Sequence, residues 1–183
     1  MNITQKTFRV APDKAQIQTL YRTAFPKEEQ LPWWVLRLAA ASGRSELTAY
    51  YADGRFCAMT FSATAGDVFY VMFFAVEESL RGQGYGSAVL AHLKQTNPDK
   101  TILLNVEIPE AAAPNYAQRL QRMAFYRKNG FVDSGYNIRE VGGVFRILSS
   151  TGKMDAEAYQ KVFLKLSYGL WRPPITKAEE NAQ

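Results

Sequence analysis

The spacing of apolar residues along the chain predicts an α/β domain. Four stretches repeat apolar residues every three or four positions, as in an amphipathic helix, and the segments between them carry the short apolar or alternating runs typical of strands. The predicted order is a strand, two helices, three strands, a helix, a strand, a helix and two strands. This order indicates a mixed sheet flanked by helices rather than a regular alternation of strand and helix.

The predicted strands cover residues 3–10, 47–51, 56–61, 68–76, 101–106, 131–138 and 144–148. Asp53-Gly54 is a signal for a tight hairpin between the second and third strands, and Gly142-Gly143 predicts the turn of a closing hairpin. The strand at 68–76 is apolar at every position. We therefore expect both of its faces to be covered and the strand to lie centrally in the sheet.

The predicted helices are bounded by residues that stop a helix. The second helix is expected to begin near Glu28, and the four helices end at Pro26, Gly43, Asn97-Pro98 and Gly130. Residues 155–166 also have helical composition, whereas residues 173–183 are polar and expected to be loose. We interpret residues 1–150 as one domain and residues 151–183 as a C-terminal helical extension with a loose tail.

Composition narrows the classes of function. The 183 residues are 47% hydrophobic, enough for a core, and the one cysteine, Cys57, cannot form an internal disulfide. The net charge of +5 comes from scattered lysines and arginines, which favours a small anionic ligand over nucleic acid. No apolar run is long enough to span a bilayer as a helix, and the first residues lack a secretory signal, so we expect a cytoplasmic protein without membrane contact.

The segment that follows strand 68–76 carries three glycines in five residues and then leads into a helix. Its sequence is Arg81-Gly82-Gln83-Gly84-Tyr85-Gly86-Ser87. Glycines let backbone N–H groups approach a phosphate closely, and the N-terminus of the helix adds partial positive charge. The segment therefore predicts a cradle for a phosphate ester.

Three alternative roles for this segment fit its residues less well. A Walker loop needs Gly-Lys followed by Ser or Thr, which the segment lacks. A dinucleotide fingerprint would have Ser87 in place of its third glycine, although Glu107 lies roughly 20 residues on, about where the ribose-binding acid should be. That fingerprint follows the first strand of a βαβ unit, whereas this segment follows antiparallel strands. A glycine-rich turn without a ligand would destabilise the start of the helix, and no bound ligand would compensate for that loss of stability.

Two motifs resemble those of the GNAT acetyltransferases. The family signature Q/R-x-x-G-x-G/A is matched by Arg81, Gly84 and Gly86, with Val76 five residues before the arginine. The second family motif is an aromatic residue and a tyrosine near the end of the next helix, followed by Gly-Phe. It is matched by A-F-Y-R-K-N-G-F at residues 124–131. Their order and their placement on the expected elements make the resemblance strong over about residues 45–135.

The resemblance implies a mixed, mostly antiparallel sheet splayed into a V and an enzyme that transfers the acetyl group of acetyl-CoA to a primary amine of a small molecule or peptide, without a metal. The pantetheine arm would lie between the strand ending at Val76 and the strand ending near Glu107. The cofactor-binding residues it implies are Ala75, Val76, Arg81, Gly82, Gln83, Gly84, Tyr85, Gly86 and Ser87. The identity of the acceptor and the formation of a homodimer are left open. A noncatalytic acyl-CoA-binding module is the alternative, and a nicotinamide enzyme is the third candidate.

The resemblance also assigns two catalytic candidates. Tyr126 is the expected general acid for the CoA thiolate, although on sequence alone packing beside Phe125 would be its ordinary role. Glu107 is the candidate that takes a proton from the incoming ammonium, directly or through water, and its ordinary role would be that of a solvated strand end.

Four further residues bear on the functional assignment. The family often has an asparagine seven residues before the tyrosine, but Arg119 stands there and Asn115 lies one turn earlier. Whether Asn115 replaces the family asparagine at the cofactor is left open by the motif. His92 and Cys57 lack partners at metal-ligand or catalytic spacing, so we expect packing roles for both.

Overall fold

The computed structural model describes residues 1–140 and 143–178. The chain divides into two compact units, Met1–Thr64 with Val71–Asp99 and Ala65–Tyr70 with Lys100–Gln183, which we call the first and second unit. The turn predicted at Gly142-Gly143 falls partly outside the described residues, as does the end of the polar tail.

Five helices and eight strands make up the described chain. In chain order they are β1 (Ile3–Thr7), α1 (Lys14–Ala24), α2 (Trp33–Ala41), β2 (Glu46–Ala52), β3 (Arg55–Ala65), β4 (Val68–Val76), α3 (Tyr85–Thr96), β5 (Thr101–Glu107), α4 (Tyr116–Lys128), β6 (Val132–Glu140), β7 (Gly143–Ser149), α5 (Ala156–Leu166) and β8 (Ile175–Lys177). Single 3-10 turns lie at Lys27–Glu29 and Glu78–Leu80. No described helix is long and apolar enough to cross a membrane.

The strands follow the order β1-β2-β3-β4-β5-β7-β6-β8. In the first unit β1 and β3 each pair antiparallel with β2, and in the second unit β5 and β6 pair antiparallel with β7. Strand β5 begins beside the start of β4, because the Thr101 amide donates to the Asp67 carbonyl at 2.8 Å. The predicted α/β fold with a mixed, mostly antiparallel sheet flanked by helices is confirmed.

Strand β1, helix α2 and strand β8 differ from the sequence prediction. Strand β1 ends at Thr7 rather than at Val10, because the Val10 amide turns back to donate to the Thr7 carbonyl. Helix α2 begins at Trp33 after Pro32, and the predicted start near Glu28 forms a separate 3-10 turn. Strand β8, in the segment expected to be loose, was not predicted and pairs with β6.

Aromatic rings form the core that fixes α1 and α2 on β4 in the first unit. The ring of Phe73 lies 5.1 Å from that of Tyr21 and 4.9 Å from that of Phe25 in edge contacts. Trp33 of α2 packs 5.7 Å from Tyr21. The Tyr21 hydroxyl donates to the Leu31 carbonyl at 3.0 Å, which ties the α1–α2 connection to this cluster.

A polar network lies inside the second unit. The Tyr159 hydroxyl of α5 donates to Asn105 Oδ1 on β5 at 2.8 Å, and Asn105 Nδ2 donates to the Tyr70 hydroxyl at 3.0 Å and to Glu140. Tyr70 and Tyr159 are buried, and burial raises the pKa of both phenols well above the usual range. These bonds hold α5 on β5, since a buried polar group left without a partner would cost stability.

Candidate cofactor and catalytic site

The strand that leads into the glycine segment is open along part of one face. Val68 to Val71 are buried, but Met72, Phe74 and Val76 are only half-buried while the alternate residues Phe73 and Ala75 are buried. The expected cover on both faces therefore holds for the first half of β4 only. The second half leaves an apolar strip that a ligand can contact.

The connection from β4 to the cradle is held by backbone hydrogen bonds. The Glu77 amide donates to the Cys57 carbonyl on β3 at 2.9 Å, and the Arg81 amide donates to the Glu78 carbonyl at 3.2 Å. Leu80 is buried between these two points. The position of the cradle is thus fixed by the sheet and by one buried leucine.

Two glycines of the cradle adopt backbone angles that only glycine takes readily. Gly82 has φ of 74° and Gly84 has φ of 88°, in the left-handed region. A Cβ built on either residue meets no protein atom within 4 Å. The space in front of both backbones is therefore open, as close approach by a phosphate would require.

Helix α3 begins directly at this open space. Gly84 is its N-cap, and the Ala88 amide donates to the Gly84 carbonyl at 3.0 Å. The amides of Tyr85, Gly86 and Ser87 precede that bond and so have no acceptor within the helix. The first turn contains no acidic residue. An anion placed here would meet several N–H donors and the positive end of the helix dipole.

Two side chains of the cradle bind the backbone of their own loop. Arg81 Nε donates to the Val76 carbonyl at 3.2 Å, and Gln83 Nε2 donates to the Ser79 carbonyl at 2.7 Å. These bonds link the end of β4 to the start of α3. Both residues therefore stabilise the shape of the cradle, in addition to the contact with cofactor that the sequence predicts for them.

Tyr126 lies near the end of α4 in the second unit. Its ring packs 5.2 Å from Phe125 and 5.9 Å from Phe131, and the side chain is buried. Burial raises the pKa of its phenol to about 12, against a smaller lowering by the positive charge of Arg122. The phenol therefore keeps its proton at neutral pH, which is the state that a general acid needs.

Glu107, at the end of β5, is engaged on both carboxylate oxygens. Oε1 lies 3.1 Å from Arg119 Nη2 and accepts a hydrogen bond from Asn115 Nδ2 at 3.0 Å. Oε2 accepts from Arg122 Nη1 at 2.6 Å. The side chain is 14% exposed. These contacts give the Glu107 carboxylate a structural role that does not require catalysis. They join the end of β5 to the first turns of α4.

Arg119, which stands at the position of the family asparagine, and Asn115, one turn earlier, belong to the same network. Arg119 Nε donates to Asn115 Oδ1 at 2.7 Å, and Arg119 Nη1 donates to the Ile108 carbonyl at 2.9 Å. The part played by Arg122 was not predicted from the sequence. The signal was present, since Asn115, Arg119 and Arg122 recur at spacings of four and three on one helix face after an acidic strand end.

The remaining sequence candidates are packing residues in the first unit. Cys57 is fully buried, its thiol donates to the Tyr50 carbonyl at 3.4 Å, and burial raises its pKa to about 11. His92 meets the Tyr50 ring edge-on at 6.2 Å, and burial lowers its pKa. Neither has the surroundings of an activated nucleophile or base.

We expect Cys57 to resist thiol reagents in the folded protein. The buried thiol with a pKa of about 11 supplies almost no thiolate at pH 8, and the thiolate is the reactive form. Reaction with a chromogenic disulfide should release close to one equivalent only after denaturation. Rapid labelling of the native protein would contradict the burial of this thiol.

Comparison with known proteins agrees with the two motifs. Residues 43–133 match the family model described as an acetyltransferase (GNAT) domain. The chain carries a GNAT acetyltransferase domain. The matched segment includes the cradle, Glu107 and Tyr126. A search of curated protein sequences found no match to this chain.

Solved structures of GNAT proteins share the fold. One such structure is a protein from Bacteroides thetaiotaomicron that is assigned to the GNAT acetyltransferase family. It is 23% identical to this chain and superposes with a TM-score of 0.72, and the match covers 93% of this chain and 100% of that one. An aminoglycoside 6'-N-acetyltransferase complexed with coenzyme A is 17% identical with a TM-score of 0.60, over 81% and 96%. The ribosomal-protein-alanine N-acetyltransferase of Escherichia coli is 18% identical with a TM-score of 0.55, over 84% and 96%.

Proposed function

We propose that this GNAT protein is an N-acetyltransferase that uses acetyl-CoA and a primary amine. The observation that carries the proposal is the cradle, in which Gly82 and Gly84 have left-handed backbones with open space in front of them and lead into the first turn of α3, whose amides have no acceptor within the helix. Such a cradle suits the pyrophosphate of CoA. In this proposal Ala75 and Val76 bind the pantetheine arm, and residues 81–87 bind the pyrophosphate.

The proposed reaction is a direct transfer in a ternary complex. Bound acetyl-CoA supplies a thioester, whose carbonyl carbon forms a bond to the amine nitrogen as the carbon–sulfur bond breaks. A backbone N–H near Val76 stabilises the developing oxyanion, and the Tyr126 phenol gives its proton to the leaving sulfur. Because the amine must be neutral to attack, the ammonium first loses a proton to Glu107 or to water.

A screen of amines would identify the acceptor class. Proteins of this fold act on an aminoglycoside and on the alanine of a ribosomal protein, according to their names. We therefore propose a screen of small amines, aminoglycosides and peptide N-termini in which a thiol reagent detects released CoA. Turnover with one class names the acceptor. CoA binding without turnover across the panel would favour the noncatalytic acyl-CoA-binding module instead.

We expect Glu107→Gln to lower turnover and to be partly rescued at higher pH. The amide cannot take a proton from the ammonium, and at higher pH more of the acceptor is already neutral. The measurement is the pH dependence of kcat/KM for wild type and variant with one amine.

A matched variant separates catalysis from stability in this test. Arg122→Gln removes one ion pair of the same network, at a residue whose side chain is 47% exposed, but keeps the Glu107 carboxylate. It should lower the melting temperature slightly and leave the pH dependence in place. If Glu107→Gln also leaves the pH dependence unchanged, water takes the proton and Glu107 only holds α4.

A further inference from the structure

The Glu107 carboxylate in the second unit is shared by two arginines. Oε1 lies 3.1 Å from Arg119 Nη2, and Oε2 lies 2.6 Å from Arg122 Nη1. The remaining side-chain partner, Asn115, is neutral. Two guanidiniums and one carboxylate leave one net positive charge at the end of β5. One arginine would balance the carboxylate, so the second adds a charge that this contact does not require.

Arg122 lies one helical turn before Tyr126 on α4. Side chains four residues apart lie on the same face of a helix, with Cβ atoms about 5–6 Å apart. The ion pair with Glu107 holds the Arg122 guanidinium at the end of β5, although the side chain is 47% exposed. Burial raises the pKa of the Tyr126 phenol, and the positive charge of Arg122 opposes that rise. The phenol therefore lies within the electrostatic reach of this guanidinium.

A positive charge at this place matters because a buried phenol is a weak acid. The pKa of Tyr126 is about 12, whereas an ordinary thiol such as that of cysteine has a pKa of roughly 8.5. Transfer of the phenol proton to a departing thiolate is thus unfavourable unless the negative charge on oxygen and sulfur is stabilised. A guanidinium that is already held in position supplies such stabilisation without reorganisation during the reaction.

We propose that Arg122 is a positioning residue for acetyl transfer, which acts through Tyr126 by stabilising the negative charge that develops as the thiolate is protonated. This inference rests on the proposed function. Glu107 holds the Arg122 guanidinium in place, and Arg119 balances the charge of Glu107. The phenol oxygen gives its proton to the CoA sulfur as the carbon–sulfur bond breaks. The nitrogen loses a proton as the amide forms, and a proton returns to the phenolate through water.

A double-mutant cycle tests whether Arg122 acts through Tyr126. Arg122→Gln should lower kcat about 5-fold with little change in KM, because it removes a partly exposed charge close to the phenol. In the Tyr126→Phe protein the same substitution should change kcat by less than about 2-fold, since the group on which it acts is gone. A merely structural role would lower kcat equally in both backgrounds, and that result would overturn the inference.

The conservative variant Arg122→Lys separates charge from shape. The contact with Glu107 uses a single nitrogen of Arg122, so a lysine ammonium can replace it. Its kcat should lie within about 2-fold of wild type. A lysine variant as slow as Arg122→Gln would contradict an electrostatic role. The loss in Arg122→Gln should be the same at every pH below the pKa of Tyr126, so the pH dependence measured for Glu107 stays in place.

Arg127→Gln is the matched control for charge on α4. Arg127 is exposed, follows Tyr126 in sequence and lies outside the contacts of Glu107. Its loss should leave kcat unchanged, and a loss as large as that of Arg122→Gln would overturn the inference. A wild-type kcat in Arg122→Gln would refute this inference alone. Absence of turnover with every amine of the screen would refute the proposed function and this inference with it.

Discussion

Replacing Gly84 by glutamate is expected to abolish the stabilisation that CoA gives to the protein. At 100 times its Kd, a ligand of the folded state adds about 2.7 kcal/mol, which for a chain of this size corresponds to a rise in melting temperature of roughly 5 to 10 °C. Glutamate at Gly84 would place a side chain and a negative charge in the open space in front of this residue, at the N-terminus of α3. The measurement is a thermal shift with and without CoA.

The control for this variant is another glycine with the same kind of backbone. Gly43 has φ of 73°, and a Cβ there also meets nothing within 4 Å. Gly43→Glu should therefore suffer the same strain of about 1–2 kcal/mol as Gly84→Glu, but keep the CoA shift. An undiminished shift in Gly84→Glu would place the pyrophosphate elsewhere.

Elements with strong local signals were predicted well. Strand β4 spans Val68–Val76, the predicted residues, because an unbroken apolar run lies between Gly66-Asp67 and Glu77-Glu78. The cradle is equally local, since glycines at 82 and 84 and the following helix are contiguous in sequence. The residues of this short segment thus determine both its backbone geometry and the groups that it offers to a ligand.

Features that join distant segments could not be predicted. Strand β8 has three residues after two prolines, and it exists because β6 offers it an edge, with Ile175 opposite Ile138. The network of Tyr70, Asn105, Glu140 and Tyr159 draws on four segments. No periodicity in one stretch of sequence encodes such a contact, because each residue also fits an ordinary local role.

Glu107 shows the same limit within the candidate site. The sequence placed a carboxylate at a strand end and suggested either catalysis or solvation. The structure instead surrounds it with Asn115, Arg119 and Arg122 of α4. The partners lie 8 to 15 residues away, so only the packing of α4 on β5 brings them together.

Tyr126→Phe is expected to lower kcat by roughly 10² to 10⁴, the usual worth of positioned proton transfer. The phenylalanine ring keeps the contacts with Phe125 and Phe131, so the melting temperature and CoA affinity should change little. The loss should fall on kcat more than on KM, because the hydroxyl acts when charge develops on the sulfur. Since its pKa is about 12, wild type should show no loss of activity from Tyr126 deprotonation below about pH 11.

Tyr116 supplies the matched control for this prediction. It lies on the same helix but is 37% exposed, so Tyr116→Phe deletes a phenol from α4 without touching the buried position. Its kcat should equal that of wild type. Single-turnover rates with a fixed amine, measured at saturating acetyl-CoA, compare the chemical step in all three proteins. A Tyr126→Phe protein with a wild-type rate would leave Tyr126 as a packing residue, and water would then protonate the departing thiolate.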